Sequence, residues 1–192
     1  MFLLSGCSDR PALEPLSADA VVLAFGDSLT YGTGSSPDKS YPALLEKKLQ
    51  RKVINAGVPG ETSRGGLQRL PALLERYQPE LVIICHGGND ILRRLDPVQT
   101  ENNLRRMIAL ARHNGAQVVL LAVPEFSLFL EPAPFYTRLA EQNRVPLLEN
   151  SLSEILSSNR LKSDRVHPNA EGYRQLADDI YRLLRTASRN TI

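Results

Sequence analysis

The stretch VVLAFGDSLTYGTG, residues 21–34, passes from five apolar residues straight into Gly26-Asp27-Ser28. Gly, Asp and Ser turn chains, which is reason enough for a strand to stop on them. A serine at the rim of a sheet can also be a nucleophile, but its alcohol attacks well only when a base takes the proton. Of the three histidines, His167 has the setting of that base, in Asp164-Arg165-Val166-His167-Pro168. Across three residues one turn can bring the Asp164 carboxylate to the imidazole, fixing its tautomer and favouring the imidazolium formed during attack. Taken alone, DxxH is a weak pattern, because surface and capping histidines are common.

Attack on an ester carbonyl creates an oxyanion that needs donors already in place, each worth about two to three decades of rate. Gly60, lacking a side chain, can bring its N–H close; the Asn89 amide can donate from its NH₂; the Ser28 N–H lies at the start of an expected helical turn. Each is also an ordinary turn residue, since Gly60 follows Pro59 and GGND turns on composition alone. Asp27, Asn55 and Asp90 read as loop hydrogen-bonders. His86 either lines the site or packs beneath it, and His113, in RHNG, suits a helix end. A metal site from His86, Asp90 and His167 has no ligand-spacing motif behind it, so neither a metal nor an organic cofactor is expected.

These groups can meet only if the fold gathers them. Short apolar runs at Val21–Phe25, Val53–Ile54, Leu81–Cys85, Val118–Val123 and Pro146–Leu148 read as strands. Between them, Tyr41, Leu44, Leu45 and Leu49 share a helical face, as do Leu104, Met107, Ile108 and Ala111; Tyr173, Leu176, Ala177, Ile180, Leu183 and Leu184 make the clearest stripe. Pro71 divides the helical stretch from Glu61 to Tyr77, as a kink or a fresh start. Pro168 suits the first turn of the last helix. The alternation implies βαβ units and a parallel sheet covered on both faces. Ligands of such sheets bind beyond the carboxyl ends of the strands. Gly26-Asp27-Ser28, Asn55 to Gly60, and Gly87 to Asp90 all follow strands, so they should converge at one edge. The apolar loop at 125–135 should overhang it.

At 192 residues the chain is long enough for one domain with a sizeable core. A formal charge of +2 with mixed signs leaves no electrostatic footprint for nucleic acid. No apolar run is long enough to span a bilayer. The start, Met1-Phe-Leu-Leu-Ser-Gly-Cys7, is similar to the end of a bacterial lipoprotein signal, with Cys7 as the residue to be lipidated. Residues 1–18 then read as a signal remnant and tether, 19–188 as a single catalytic domain, and 189–192 as a tail. Acyl chains on Cys7 would attach the protein to the membrane of the cell envelope; otherwise a soluble periplasmic or cytoplasmic location follows. Cys85, within LVIIC, reads as a small buried hydrophobe, and no disulfide with Cys7 is expected.

Taken together, GDSLT at 26–30, NAGVPG at 55–60, GGND at 87–90 and DRVHP at 164–168 resemble, in order, the four blocks of the SGNH (GDSL) hydrolases. Further likeness in ETSRGGLQRLPALLERYQPELVII and LKSDRVHPNAEGY points to the bacterial thioesterase, lysophospholipase and arylesterase branch. The resemblance implies an α/β, three-layer αβα flavodoxin-like fold with a five-stranded parallel sheet in order 2-1-3-4-5. It also implies Ser28 as nucleophile, His167 as base, Asp164 as its orienting acid, and Ser28 N–H, Gly60 and Asn89 as the oxyanion hole. The fold itself leaves the substrate open.

The expected activity is therefore that of a serine esterase on short- to medium-chain acyl esters, including aryl esters, with thioesters and lysophospholipids tolerated. Phe126, Leu128, Phe129 and Phe135 of the apolar loop are the residues offered to the acyl chain, unless they are ordinary core. An O-acetyl esterase acting on envelope polysaccharide or peptidoglycan is the alternative within the class. An inactive envelope lipoprotein that binds an acylated ligand is the alternative outside it.

Overall fold

The computed structural model describes residues 11–126 and 129–188. Among these, β1 (Val21–Gly26), β2 (Lys52–Gly57), β3 (Leu81–Cys85), β4 (Gln117–Leu121) and β5 (Leu147–Leu148) form one parallel sheet in the order β2-β1-β3-β4-β5. Successive residues of β3 are all buried, as are those of β1 after Val21, so both faces of the central sheet are covered. On one side α2 (Tyr41–Leu49) packs on α8 (Ala170–Ala187), which also carries α7 (Ser151–Ser157); elsewhere α3 (Ser63–Tyr77) packs on α5 (Pro97–His113), which also carries α6 (Phe135–Asn143). The single-turn helices α1 (Ser28–Tyr31) and α4 (Gly88–Leu92) leave directly from the ends of β1 and β3.

Three local features depart from the periodicity. The second strand is six residues long and continues through Asn55, Ala56 and Gly57, pairing Gly26 with Gly57. Its polar carboxyl end hides it from hydropathy. The third helix runs unbroken through Pro71, so no fresh start occurs there. Proline removes the donor to the Leu67 carbonyl, but Pro71 is on the exposed side, and Leu67, Leu70 and Leu74 keep the opposite side buried in the core. Pro168 lies before α8 instead of inside its first turn: Asn169 is the cap, its Oδ1 accepting from the N–H groups of Glu171 (2.9 Å) and Gly172 (3.1 Å).

The segment before β1 lies against the strand-starting edge. Leu13 is buried in the core and its N–H donates to the Ala187 carbonyl at 2.7 Å. The Glu14 N–H donates to Gln117 Oε1, and the Ser17 N–H to Glu80 Oε2. Cys7 and residues 189–192 lie outside the described residues. No helix among the described residues is long and apolar enough to cross a membrane.

Candidate active site

At the end of β1, Asp27 caps α1: its Oδ1 accepts from the Leu29 N–H at 3.0 Å, which makes Ser28 the first helical residue. Neither the Ser28 N–H nor the Gly60 N–H has a hydrogen-bond partner among the described residues. A first-turn N–H has no intrahelical acceptor and is available to an anion. Gly60 adopts φ +77°, a left-handed conformation that side chains disfavour, although a Cβ would meet nothing closer than an Arg93 nitrogen at 3.8 Å. Backbone conformation, not space, is what calls for glycine there.

His167 reaches this turn from the other end of the chain. Its Nε2 lies 3.0 Å from Ser28 Oγ, and its Nδ1 lies 2.8 Å from Asp164 Oδ2. A carboxylate only accepts, so Nδ1 carries the ring proton and Nε2 presents its lone pair to the serine hydroxyl. The other carboxylate oxygen accepts from the N–H groups of Val166 (2.8 Å) and His167 (2.9 Å), closing the three-residue turn. Partial burial acts to raise the Asp164 carboxyl, but these N–H groups and the imidazole prevail and hold it below the usual carboxylate range. The loop is fixed on both flanks: the Ser163 N–H donates to the His167 carbonyl, and Asn169 Nδ2 donates to the carbonyls of Arg160 and Lys162.

Asn89, on α4, is partly buried, and its Nδ2 donates to Asp27 Oδ2 at 3.1 Å and to the Glu61 carbonyl at 3.0 Å. An amide nitrogen has two hydrogens, so both are engaged here. Burial pushes the Asp27 carboxyl above its ordinary value in spite of its hydrogen bonds to the Leu29 N–H and Asn89. Asp90 is buried and accepts from the Ser63 N–H (2.7 Å), Ser63 Oγ (2.6 Å) and Thr100 Oγ1 (3.3 Å), tying α4 to the starts of α3 and α5. Asn55 Oδ1 accepts from the Gly57 N–H. All three side chains hold loops, as their places in the sequence imply.

The remaining residues separate. His86 is fully buried beneath the site, with Nε2 3.2 Å from Glu61 Oε2, an ion-pair distance without hydrogen-bond alignment. His113 ends α5. Phe135, the first residue of α6, is 4% exposed within the core, its ring tilted against that of Tyr136 at 4.4 Å between centroids. Phe126 packs partly against the core, whereas Phe129 is 75% exposed. Leu128 lies outside the described residues. Sequence reasoning missed Glu61 and Arg69: Arg69 Nε lies 2.8 Å from each Glu61 carboxylate oxygen. Their eight-residue spacing crosses a turn into a helix and matches no helical pairing. An open apolar depression lined by Leu16, Leu49, Leu81 and Tyr181 lies at the opposite, strand-starting edge, away from these groups.

Residues 24–175 match the model of the GDSL-like lipase/acylhydrolase family. The chain is 34% identical over 194 residues to Esterase TesA of Pseudomonas aeruginosa, covering 95% of this chain and 96% of that protein. It is 36% identical over 170 residues to thioesterase 1/protease 1/lysophospholipase L1 of Escherichia coli, covering 84% and 82%. Among solved structures, the psychrotrophic esterase EstA from Pseudoalteromonas, inhibited by monoethylphosphonate, superposes with a TM-score of 0.78 at 27% identity over 88% of this chain and 98% of that one. With the family model spanning most of the chain and the sheet in the same order that its motifs imply, this protein belongs to the GDSL-like lipase/acylhydrolase family and is a carboxylic ester hydrolase.

Proposed function

We propose that this chain is a serine esterase of short- to medium-chain acyl esters, with Ser28 as nucleophile, His167 as general base and Asp164 as the acid that orients it. The observation that carries the reading is the hydrogen-bonded series Ser28 Oγ, His167 Nε2, His167 Nδ1, Asp164 Oδ2, at 3.0 and 2.8 Å, with the Ser28 and Gly60 N–H groups left unengaged among the described residues. Ser28 Oγ bonds to the acyl carbon as its proton passes to His167 Nε2. The carbonyl oxygen, now anionic, accepts from the Ser28 and Gly60 N–H groups, and from Asn89 once one of its two hydrogen bonds is exchanged. Collapse breaks the bond to the leaving group, which takes the proton from His167. Water then repeats the sequence on the acyl-enzyme, releasing the acid and restoring Ser28.

The step asks of the leaving group only that it take a proton from His167, which an alcohol, a phenol or a thiol can do, so thioesters and lysophospholipids fall within the proposal. The names of the relatives, esterase and thioesterase 1/lysophospholipase L1, support that range. The test is a series of p-nitrophenyl esters and acyl-thioesters from acetyl to palmitoyl, assayed beside Ser28→Ala. Turnover that peaks at short to medium chains and vanishes in the variant supports the reading; turnover that survives the substitution overturns it. Release of acetate alone, from cell-wall material, would favour the O-acetyl esterase instead.

The proposal extends to location. Lipid on Cys7 would anchor the domain at the envelope through a segment whose described part, from Leu13, docks on the strand-starting edge. The catalytic edge would then face away from that bilayer. Mass spectrometry of the mature N-terminus tests this: an unmodified Cys7 in the native host overturns it.

A further inference from the structure

Behind the Gly60 turn lies a charge cluster that the reaction above leaves unused. Arg69, 24% exposed on α3, donates from Nε to both carboxylate oxygens of Glu61 and pairs through Nη2 with Glu61 Oε2 at 2.7 Å. The same Nη2 donates to the carbonyls of Ala56 (2.8 Å) and Gly26 (3.1 Å), and the guanidinium lies over the Phe25 ring, 4.4 Å from its centroid. The contacts land on two parts of the site, the end of the first strand and the segment around Gly60. Gly26 is two residues before Ser28; Ala56 is the last but one residue of the strand that leads to Gly60; Glu61 is the next residue after Gly60, and its own carbonyl takes one hydrogen of Asn89.

One planar, forked cation thus ties together two of the three loops that carry the oxyanion donors, and the Glu61 carbonyl that accepts from Asn89 links the third to them. An ammonium has the charge but not the fixed fork, so lysine could not make these bonds together. On its far side the Glu61 carboxylate meets Nε2 of the fully buried His86.

We propose that Arg69 is a positioning residue for the oxyanion hole, acting through Glu61 on the Gly60 N–H and the Asn89 amide. The inference rests on the reading of those two groups as donors to the reacting carbonyl. Donors matter most when charge develops, so a loosened turn lowers kcat and leaves substrate binding nearly unchanged.

The experiment measures kcat and KM for p-nitrophenyl butyrate, together with the melting temperature, in Arg69→Ala, Arg69→Lys, Asn89→Ala and the Arg69→Ala/Asn89→Ala double variant. In Arg69→Ala, kcat is expected to fall about tenfold or more with KM within about twofold. Lysine should not rescue it, whereas added guanidinium ion at low millimolar concentration should restore part of the rate. In the Asn89→Ala background the same substitution should cost markedly less, because the two residues act as a unit. If Arg69→Ala does not fold, Glu61→Gln, which keeps the backbone carbonyl and weakens the ion pair, takes its place in the cycle. Full kcat in a folded Arg69→Ala or Glu61→Gln, a loss confined to KM, rescue by lysine, or equal losses in both backgrounds would overturn the proposal. An unimpaired Asn89→Ala would overturn the donor reading of Asn89 and this inference with it. An impaired Asn89→Ala beside a fully active Arg69→Ala would overturn the role of Arg69 alone.

Discussion

His167 Nε2 stands 3.0 Å from Ser28 Oγ although 139 residues separate them along the chain. Two independent anchors hold that distance. Ser28 is set by the Asp27 cap at the end of β1, and His167 by the turn closed on Asp164 just before the Asn169 cap of α8. A contact between two separately fixed groups is preorganised, so attack needs little rearrangement of the protein.

Replacing the hydroxyl should therefore remove chemistry and little else. Ser28→Ala is expected to abolish ester turnover and labelling by a serine-directed phosphonate, with a melting temperature within about 2 °C of the parent, since the side chain is only part-buried and no packing is lost. Labelling that persists in the variant would move the nucleophile elsewhere.

Asp164 should matter to rate through the tautomer. Asn in its place can donate to Nδ1, favouring the ring with its proton on Nε2, the wrong nitrogen for a base; Asp164→Asn is expected to lower kcat by about two to four decades. Stability responds with a definite sign. The folded carboxyl lies below its ordinary value, so its ionised form contributes stability at neutral pH that is lost as the solution is acidified through the carboxylate range, below about pH 4. The asparagine variant should show a shallower acid limb in a pH series of melting temperatures. Because the side chain is half-exposed, the difference will be small and reduced by salt.

Gly60 and Gly115 offer a controlled comparison. Both have positive φ, +77° and +81°, and at both an added Cβ has room, with no atom within 4 Å at Gly115. Alanine at either should cost about 1–2 kcal/mol through the left-handed backbone alone. Only Gly60→Ala should also lose kcat, because a backbone shift there moves an N–H of the proposed oxyanion hole, whereas Gly115 joins α5 to β4. Equal kcat in the two variants would remove the Gly60 N–H from the proposed oxyanion hole.

Much of the architecture could be read from pattern, for identifiable reasons. Strands β1 and β3 are buried on both faces, so they appear as continuous apolar runs, and the loops after them carry the turn residues that a strand end needs. Asp164 and His167 were legible because their pairing is local, three residues apart. Other contacts are written in no local signal. Arg69 holds the carbonyls of Gly26 and Ala56 from 43 and 13 residues away, and a backbone acceptor has no residue type to notice. The engagement of both Asn89 hydrogens is equally hidden, since its two acceptors come from loops far apart in sequence. Phe135 shows the converse problem: an aromatic in an apolar stretch looks the same whether it belongs to a loop or, as here, opens a helix with its ring in the core.

Asn169 links helix capping to the loop of the proposed base. Two residues after His167, its side chain accepts from two N–H groups of α8 and donates to the carbonyls of Arg160 and Lys162. Asn169→Ala should lose about 1–2 kcal/mol of stability and also lower kcat as the histidine loop loosens. Asn169→Asp keeps the cap but not the two donors. It should retain most of the stability while showing the loss in kcat, and a variant that kept both would dissociate the cap from the position of the base.

Acyl-chain preference should report on Phe129, which is 75% exposed while Phe126 rests partly on the core. A chain that shelters against such a ring gains at most about 0.8 kcal/mol, or about fourfold in kcat/KM, for each CH₂ it buries. The gain should continue from acetyl through the medium lengths and then level off where the chain outruns the apolar surface. Truncating Phe129 to Ala removes surface that the folded protein leaves in water, so the melting temperature should stay within experimental error. Acetyl ester hydrolysis should also be unchanged, because an acetyl group ends before any side wall. If Phe129 lies along the acyl path, the medium-chain esters alone should lose rate, each by a few-fold, and the plateau should come earlier. A uniform loss across the series would instead place Phe129 at the reacting carbonyl, and no loss at any length would leave Phe126 as the described loop aromatic available to an acyl chain.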